Sequence, residues 1–115
     1  MSTARTTSTH CCVEAVLLSE IEMHRHTLLK DCFDEAERSG AETLSLPSLA
    51  GRVAAKRAVC RLLGAPLVPK DVSIEKKRDG TPRISSPQIA DVLISISHTK
   101  TAAVGFAARA VRREP

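Results

Sequence analysis

Four cations on one short stretch, Arg52, Lys56, Arg57 and Arg61, stand at helical spacings: Arg52 is four residues before Lys56, and Arg57 four before Arg61. Side chains four apart on a helix are neighbours, and a like-charge pair there destabilises an isolated helix by about 0.2–0.5 kcal/mol. No Asp or Glu occurs between Thr43 and Lys70 to offset them locally. Three arrangements relieve the penalty: a polyphosphate ligand whose oxygens accept charge-assisted hydrogen bonds, a solvated cationic face, or carboxylates brought in from elsewhere in the fold. Downstream, Ser95-Ile96-Ser97-His98-Thr99 sets hydroxyls and an imidazole together. A histidine there can orient a phosphate or exchange a proton near neutral pH, whereas Ser and Thr alone would do no more than cap a turn.

The elements that must position these groups are legible from periodicity and punctuation. Cys12 to Leu18 is an apolar run of strand length. From Thr27, apolar residues at Leu28, Leu29, Cys32, Phe33 and Ala36 follow a helical face, with Gly40 as a left-handed stop. Ser45-Leu46-Pro47 opens a helix that runs to Leu63, with Gly64 as terminator; Lys56 falls inside its apolar stripe and must snorkel or meet an anion. Val72 and Ile74, the Asp79-Gly80 turn and Thr81 to Ile84 predict a hairpin, and Val92 to Ser97 with Ala102 to Ala108 predict a second. The expectation is an α/β (α+β) fold in which a small antiparallel sheet packs on one long helix. Residues 1–10 read as a disordered leader, 11–108 as a single domain and 109–115 as a basic tail.

Composition narrows the function. A chain of 115 residues builds one core, and with Phe33 and Phe106 as the only aromatic residues that core is aliphatic. Few rings also disfavour single-stranded nucleic-acid binding, which stacks bases on aromatic platforms. The net charge is +4, and half of it lies in the tail, where Arg109, Arg112 and Arg113 outnumber Glu114. No apolar run approaches the ~20 residues that span a bilayer, and the first ten residues lack a secretory apolar stretch, so a cytoplasmic protein with neither membrane nor nucleic-acid partner is expected. Cys11, Cys12, Cys32 and Cys60 show no Cys-x-x-Cys spacing and read as reduced thiols. His10 beside Cys11, and His24 near His26, do not complete a four-ligand metal pattern.

Leu49 to Ala58 resembles the signature helix of the 4'-phosphopantetheinyl transferases of the holo-acyl-carrier-protein synthase type, L-A-G-R-F-A-A-K-E-A, at eight of ten positions. Asp71 to Glu75 followed by Gly80-Thr81-Pro82 resembles the family's strand and G-x-P turn, and Ile94 to Thr99 its S-I-S-H-T strand. Phe33 to Arg38 weakly echoes the helix that begins F-T-x-x-E. The resemblance is strong over residues 44–108 and loose over the first forty. It implies the phosphopantetheinyl transferase fold, a homotrimer with its active site between subunits, and transfer of the phosphopantetheine arm of coenzyme A, with magnesium, to a serine of an acyl carrier protein in fatty-acid or secondary-metabolite synthesis. It further implies that Arg52 and Lys56 face coenzyme A phosphates, that Ser97, His98 and Thr99 hold the nucleotide phosphate, and that Gly80 and Pro82 shape a turn beside it.

Two positions depart from the pattern. Arg57 stands where the family carries a metal-binding glutamate, and a guanidinium neither ligates magnesium nor acts as a base. Arg61 stands where a second lysine is expected, so Lys56, Arg57 and Arg61 form the candidate catalytic set. The family's other metal ligand, an aspartate on the first strand, aligns with Glu14; a competing alignment anchored on Ser19-Glu20-Ile21 puts Leu17 there. Three functions follow: an active transferase in which Arg57 supplies charge that metal normally gives, a degenerate homologue acting as a coenzyme A-binding or carrier-docking module, and a polyanion binder whose affinity would fall steeply with salt.

Overall fold

The computed structural model describes residues 6–89 and 91–113, with side chains considered for residues 10–89 and 91–109. The chain opens with β1 (Thr6–Leu17), followed by α1 (Leu18–Cys32), α2 (Glu35–Ala41) and the long α3 (Leu46–Leu63). A single 3-10 turn (Pro69–Asp71) leads to β2 (Ser73–Lys76) and β3 (Pro82–Ser86), and the chain ends with β4 (Val92–His98) and β5 (Ala102–Arg113). The α+β expectation is met: α3 lies across an antiparallel sheet of order β1-β5-β4, and β2-β3 forms a separate hairpin.

Helix α3 begins and ends where its residues dictate. The Ser45 side chain accepts from the Ser48 N–H, proline occupies the first turn, and Gly64 takes φ +84°, a left-handed conformation that costs glycine little. Its core face carries Leu49, Val53, Ala54, Ala55, Ala58 and Val59, all fully buried. The small residues let the helix approach β5 so closely that a Cβ at Gly105 would collide with backbone atoms of Ala54 and Ala55. Gly51 meets β4 in the same way, its missing Cβ leaving room for the Ile96 side chain.

Three expectations change. The helix expected from Thr27 to Gly40 is two helices, because Phe33 turns extended and buries its ring while Asp34 caps α2 by accepting from the Glu37 N–H at 2.8 Å. The helix also starts earlier, at Leu18, anchored by the fully buried Ile21. Residues 6–10, read as leader, pair with β5 from Thr6↔Arg113 onward, and residues 109–113, read as tail, form the other side of that ladder. Backbone pairing between the two ends offsets their polar composition. Residues 1–5 of the expected leader and 114–115 of the expected tail lie outside the described residues. Among the described residues, no helix is long and apolar enough to cross a membrane.

Candidate functional site

The four cations of α3 diverge. Arg52, half-buried, donates from one guanidinium nitrogen to the Ile74 carbonyl at 2.8 Å, which pins the stem and leaves its other N–H groups available. It lines a cleft of about 260 Å³ with Pro47 and Ser48 of α3, Gly80 and Pro82 of the β2–β3 turn, and His98 at the end of β4. Gly80 takes φ +87° and its N–H donates to the Lys77 carbonyl at 2.9 Å, so the turn stands as one wall of the cleft. His98 is exposed at the last position of β4, on the sheet face that Ile96 turns toward α3. Lys76 also lines the cleft and adds a cation that sequence reasoning did not single out; its place beside the turn was the available signal.

Lys56 does not reach this cleft, contrary to expectation. Its side chain is fully buried, its ammonium donating to Glu37 Oε1 at 2.5 Å and to the Val72 carbonyl and standing 4.4 Å from the centre of the Phe33 ring. Burial pulls its pKa below the ordinary lysine value, and the Glu37 hydrogen bond opposes that pull. Glu37 also accepts from the Ile74 N–H at 3.3 Å, so this pair ties α2, α3 and β2 together. In this structure Lys56 thus clamps these elements together and does not line the cleft. Glu37 was missed as its partner, although its place in the Phe33 to Arg38 echo was visible.

Two further assignments are revised. Thr99 uses its hydroxyl inside the β4–β5 turn, accepting from the Thr101 and Ala102 N–H groups at 3.2 Å each, which is the turn-capping alternative. Ser97 alternates to the sheet face opposite Ile96 and His98, in register with Val104, and so turns away from the cleft. Of the expected coenzyme A contacts, Arg52, Gly80, Pro82 and His98 come together; Lys56, Ser97 and Thr99 do not join them.

Farther along α3, Arg57 and Arg61 meet carboxylates from the start of the chain. Arg61 donates to Glu14 of β1 at 2.8 Å, which raises the arginine pKa further, and both terminal nitrogens of Arg57 lie 3.4 Å from one oxygen of Glu20 on α1. Glu14, the expected metal ligand, is thus engaged by a guanidinium. Glu20, the partner of Arg57, carries no motif of its own in the sequence beyond the Ser19-Glu20-Ile21 anchor. Among the described residues, no three His, Cys, Asp or Glu side chains converge, and Glu14 and Glu20, the carboxylates facing this part of α3, are each taken by a guanidinium rather than left free for a magnesium ion. The side chains present do not fit magnesium.

No family model matches the chain. Over 59 residues it is 42% identical to a holo-(acyl-carrier-protein) synthase of Mycoplasma capricolum; the match covers 51% of this chain and 53%, about half, of that relative. The crystal structure of a holo-(acyl-carrier-protein) synthase from Bacillus anthracis in complex with coenzyme A (3',5'-ADP) is similar over 87% of this chain and 94% of that one, with a TM-score of 0.76 and 25% identity. Both are holo-acyl-carrier-protein synthases, which this chain resembles in sequence over about half its length and in fold over most of it. The holo-acyl-carrier-protein synthase of Neisseria meningitidis shares the fold over 86% of this chain and 95% of its own, with a TM-score of 0.73 at 18% identity. Arg57 and Arg61, facing Glu20 and Glu14, depart from the pattern quoted above, while Arg52, Gly80, Pro82 and His98 of the cleft match their motifs.

Proposed function

We propose that the protein transfers the 4'-phosphopantetheine arm of coenzyme A to a serine hydroxyl of an acyl carrier protein. One observation carries the reading: residues of three separate motifs, Arg52, Gly80-Pro82 and His98, line a single cleft. The unspent N–H groups of Arg52, together with His98 and Lys76, offer donors to the phosphate on the nucleotide side of the cofactor. The coenzyme A held by the Bacillus anthracis relative supports the same ligand for this cleft. Arg57 and Arg61 lie farther along the same helix and take the diphosphate, where charge redistributes during transfer.

In the reaction the serine oxygen bonds to the phosphorus that carries the pantetheine arm. The bond from that phosphorus to the bridging oxygen breaks, the adenosine-side phosphate leaves with that oxygen, and the serine proton passes to a base. Glu20 and Glu14 are the carboxylates beside the arginines, and either becomes available as that base when its guanidinium turns to phosphate. Homotrimeric assembly, with the cleft completed by a neighbour, belongs to the same reading. Exposed Val13 and Leu93 flank half-buried Phe106 on the sheet face turned from α3, an apolar strip suited to contact between copies.

The test is incubation with apo acyl carrier protein and coenzyme A, followed by intact-mass measurement of the carrier. A gain of one phosphopantetheine is expected. No gain with any carrier tested, while coenzyme A still binds in calorimetry, would leave the binding or docking module as the function.

A further inference from the structure

We infer that this site grips its diphosphate ligand without a divalent cation, Arg57 and Arg61 standing where the positive charge of a metal would. The inference rests on the reading of the preceding subsection and adds how the site handles charge. Arg57 and Arg61 are four residues apart, so their side chains rise from the same face of α3 one turn from each other. Each meets one carboxylate delivered by the β1–α1 unit, Arg61 on Glu14 at 2.8 Å and Arg57 on Glu20 at 3.4 Å. Magnesium takes oxygen donors in a near-octahedral shell, and a protein site usually supplies one or two free carboxylates. An ion approaching Glu14 or Glu20 would have to displace a guanidinium and then remain beside it, cation against cation in a partly desolvated corner. A diphosphate meets the opposite situation, because planar guanidinium forks match phosphate oxygens and the two heads present adjoining positive charge.

The carboxylates then act as parking places. Arg57 is only 30% exposed on its side chain, yet it is held by a single carboxylate oxygen at long distance, and Glu20 is itself 38% exposed. Such partly solvated pairs are weakly held, so an incoming diphosphate takes the guanidinium at little cost. The charge balance of the ligand-free site is kept by Glu14 and Glu20, and that of the occupied site by the phosphates.

Two measurements on the full chain decide the matter. Titration calorimetry with coenzyme A in EDTA and in excess magnesium should give dissociation constants within about 2-fold of each other, whereas tightening by about 10-fold or more with magnesium overturns the inference. Electron paramagnetic resonance of manganese should show no loss of free-ion signal with the protein alone, and with coenzyme A present only the loss that coenzyme A causes by itself; additional bound manganese in either sample overturns it. Arg57→Ala should weaken coenzyme A binding by about 10-fold in EDTA with no recovery on adding magnesium, a loss of the size expected for a hydrogen bond to a charged group; unchanged affinity overturns the inference. Arg57→Lys, which keeps the charge and the helix, should retain part of the affinity. If coenzyme A binds under neither condition, the proposed function falls, and the manganese signal of the free protein still decides whether a metal is held.

Discussion

The ammonium of Lys56 and the carboxylate of Glu37 meet at 2.5 Å in the interior, with the lysine side chain wholly out of solvent. Removing one partner of a buried pair leaves an uncompensated charge and costs about 3–5 kcal/mol, while replacing both by apolar groups is often close to neutral. Lys56→Met should therefore destabilise by about 3 kcal/mol or more, and Lys56→Met with Glu37→Leu by clearly less. Denaturant unfolding of both single variants and the double variant measures the coupling; strictly additive losses would show that the pair does not act as a unit.

The cleft predicts a contrast along β4. His98→Ala should weaken coenzyme A binding by about 10-fold and Arg52→Ala by about 10- to 100-fold, the range for hydrogen bonds to charged groups. Ser97→Ala should leave it unchanged, because Ser97 occupies the other face of the sheet. Calorimetry on the three variants checks the assignment, and equal losses at Ser97 and His98 would refute it.

Close approach of α3 to β5 makes Gly105 intolerant of a methyl group. Gly105→Ala must push the helix backbone off the strand, and overpacking of this kind costs about 1–3 kcal/mol, occasionally more. The upper end is expected, since the colliding atoms are backbone. Gly40→Ala, with nothing within 4 Å of its added Cβ, should be neutral or slightly stabilising on α2. Thermal melts of the two variants make the comparison.

Burial pushes the Cys60 thiol up to about 11 from a reference of 9.0. At pH 8 its reactive thiolate is then about 100-fold scarcer than in an unperturbed thiol, since each unit is a factor of ten. Timed iodoacetamide labelling with peptide mapping should find exposed Cys11 modified first and Cys60 far behind it until pH nears 11. The linkage sign follows: between 9 and about 11 the unfolded chain releases this proton and the folded chain keeps it, so the contribution of Cys60 to stability falls as pH rises through that window. Cys60→Ala should flatten that slope.

How much of this was legible in the sequence depended on whether the deciding interaction was local. Helix α3 could be bounded from Ser45, Pro47 and Gly64 because caps and terminators act on their own neighbours. Both hairpins followed from alternation and from Asp79-Gly80. Helix α1 began earlier than expected because its first turns carry a single buried anchor, Ile21, among polar residues, which leaves little periodicity. The pairing of residues 6–10 with 109–113 joins opposite ends of the chain, and no local signal announces it. The same holds for the cations. That Lys56 needed an anion was readable from its place in an apolar stripe, and that the arginines could be met by carboxylates from elsewhere was one of the weighed arrangements. Which carboxylates, Glu37, Glu20 and Glu14, was decided by how α2, α1 and β1 pack on α3.

The seam of small residues between α3 and the sheet has a bearing on ligand capture. With Gly51 seated on the Ile96 side chain and Gly105 against the backbone of Ala54 and Ala55, helix and sheet lie close together, and at Gly105 side-chain repacking cannot adjust the spacing. Arg52 on the helix and His98 on the strand are thereby held like the fixed jaws of a gauge. The entropy of arranging those jaws is lost when the chain folds rather than when a nucleotide arrives, so selectivity falls to ligand shape more than to closure around it.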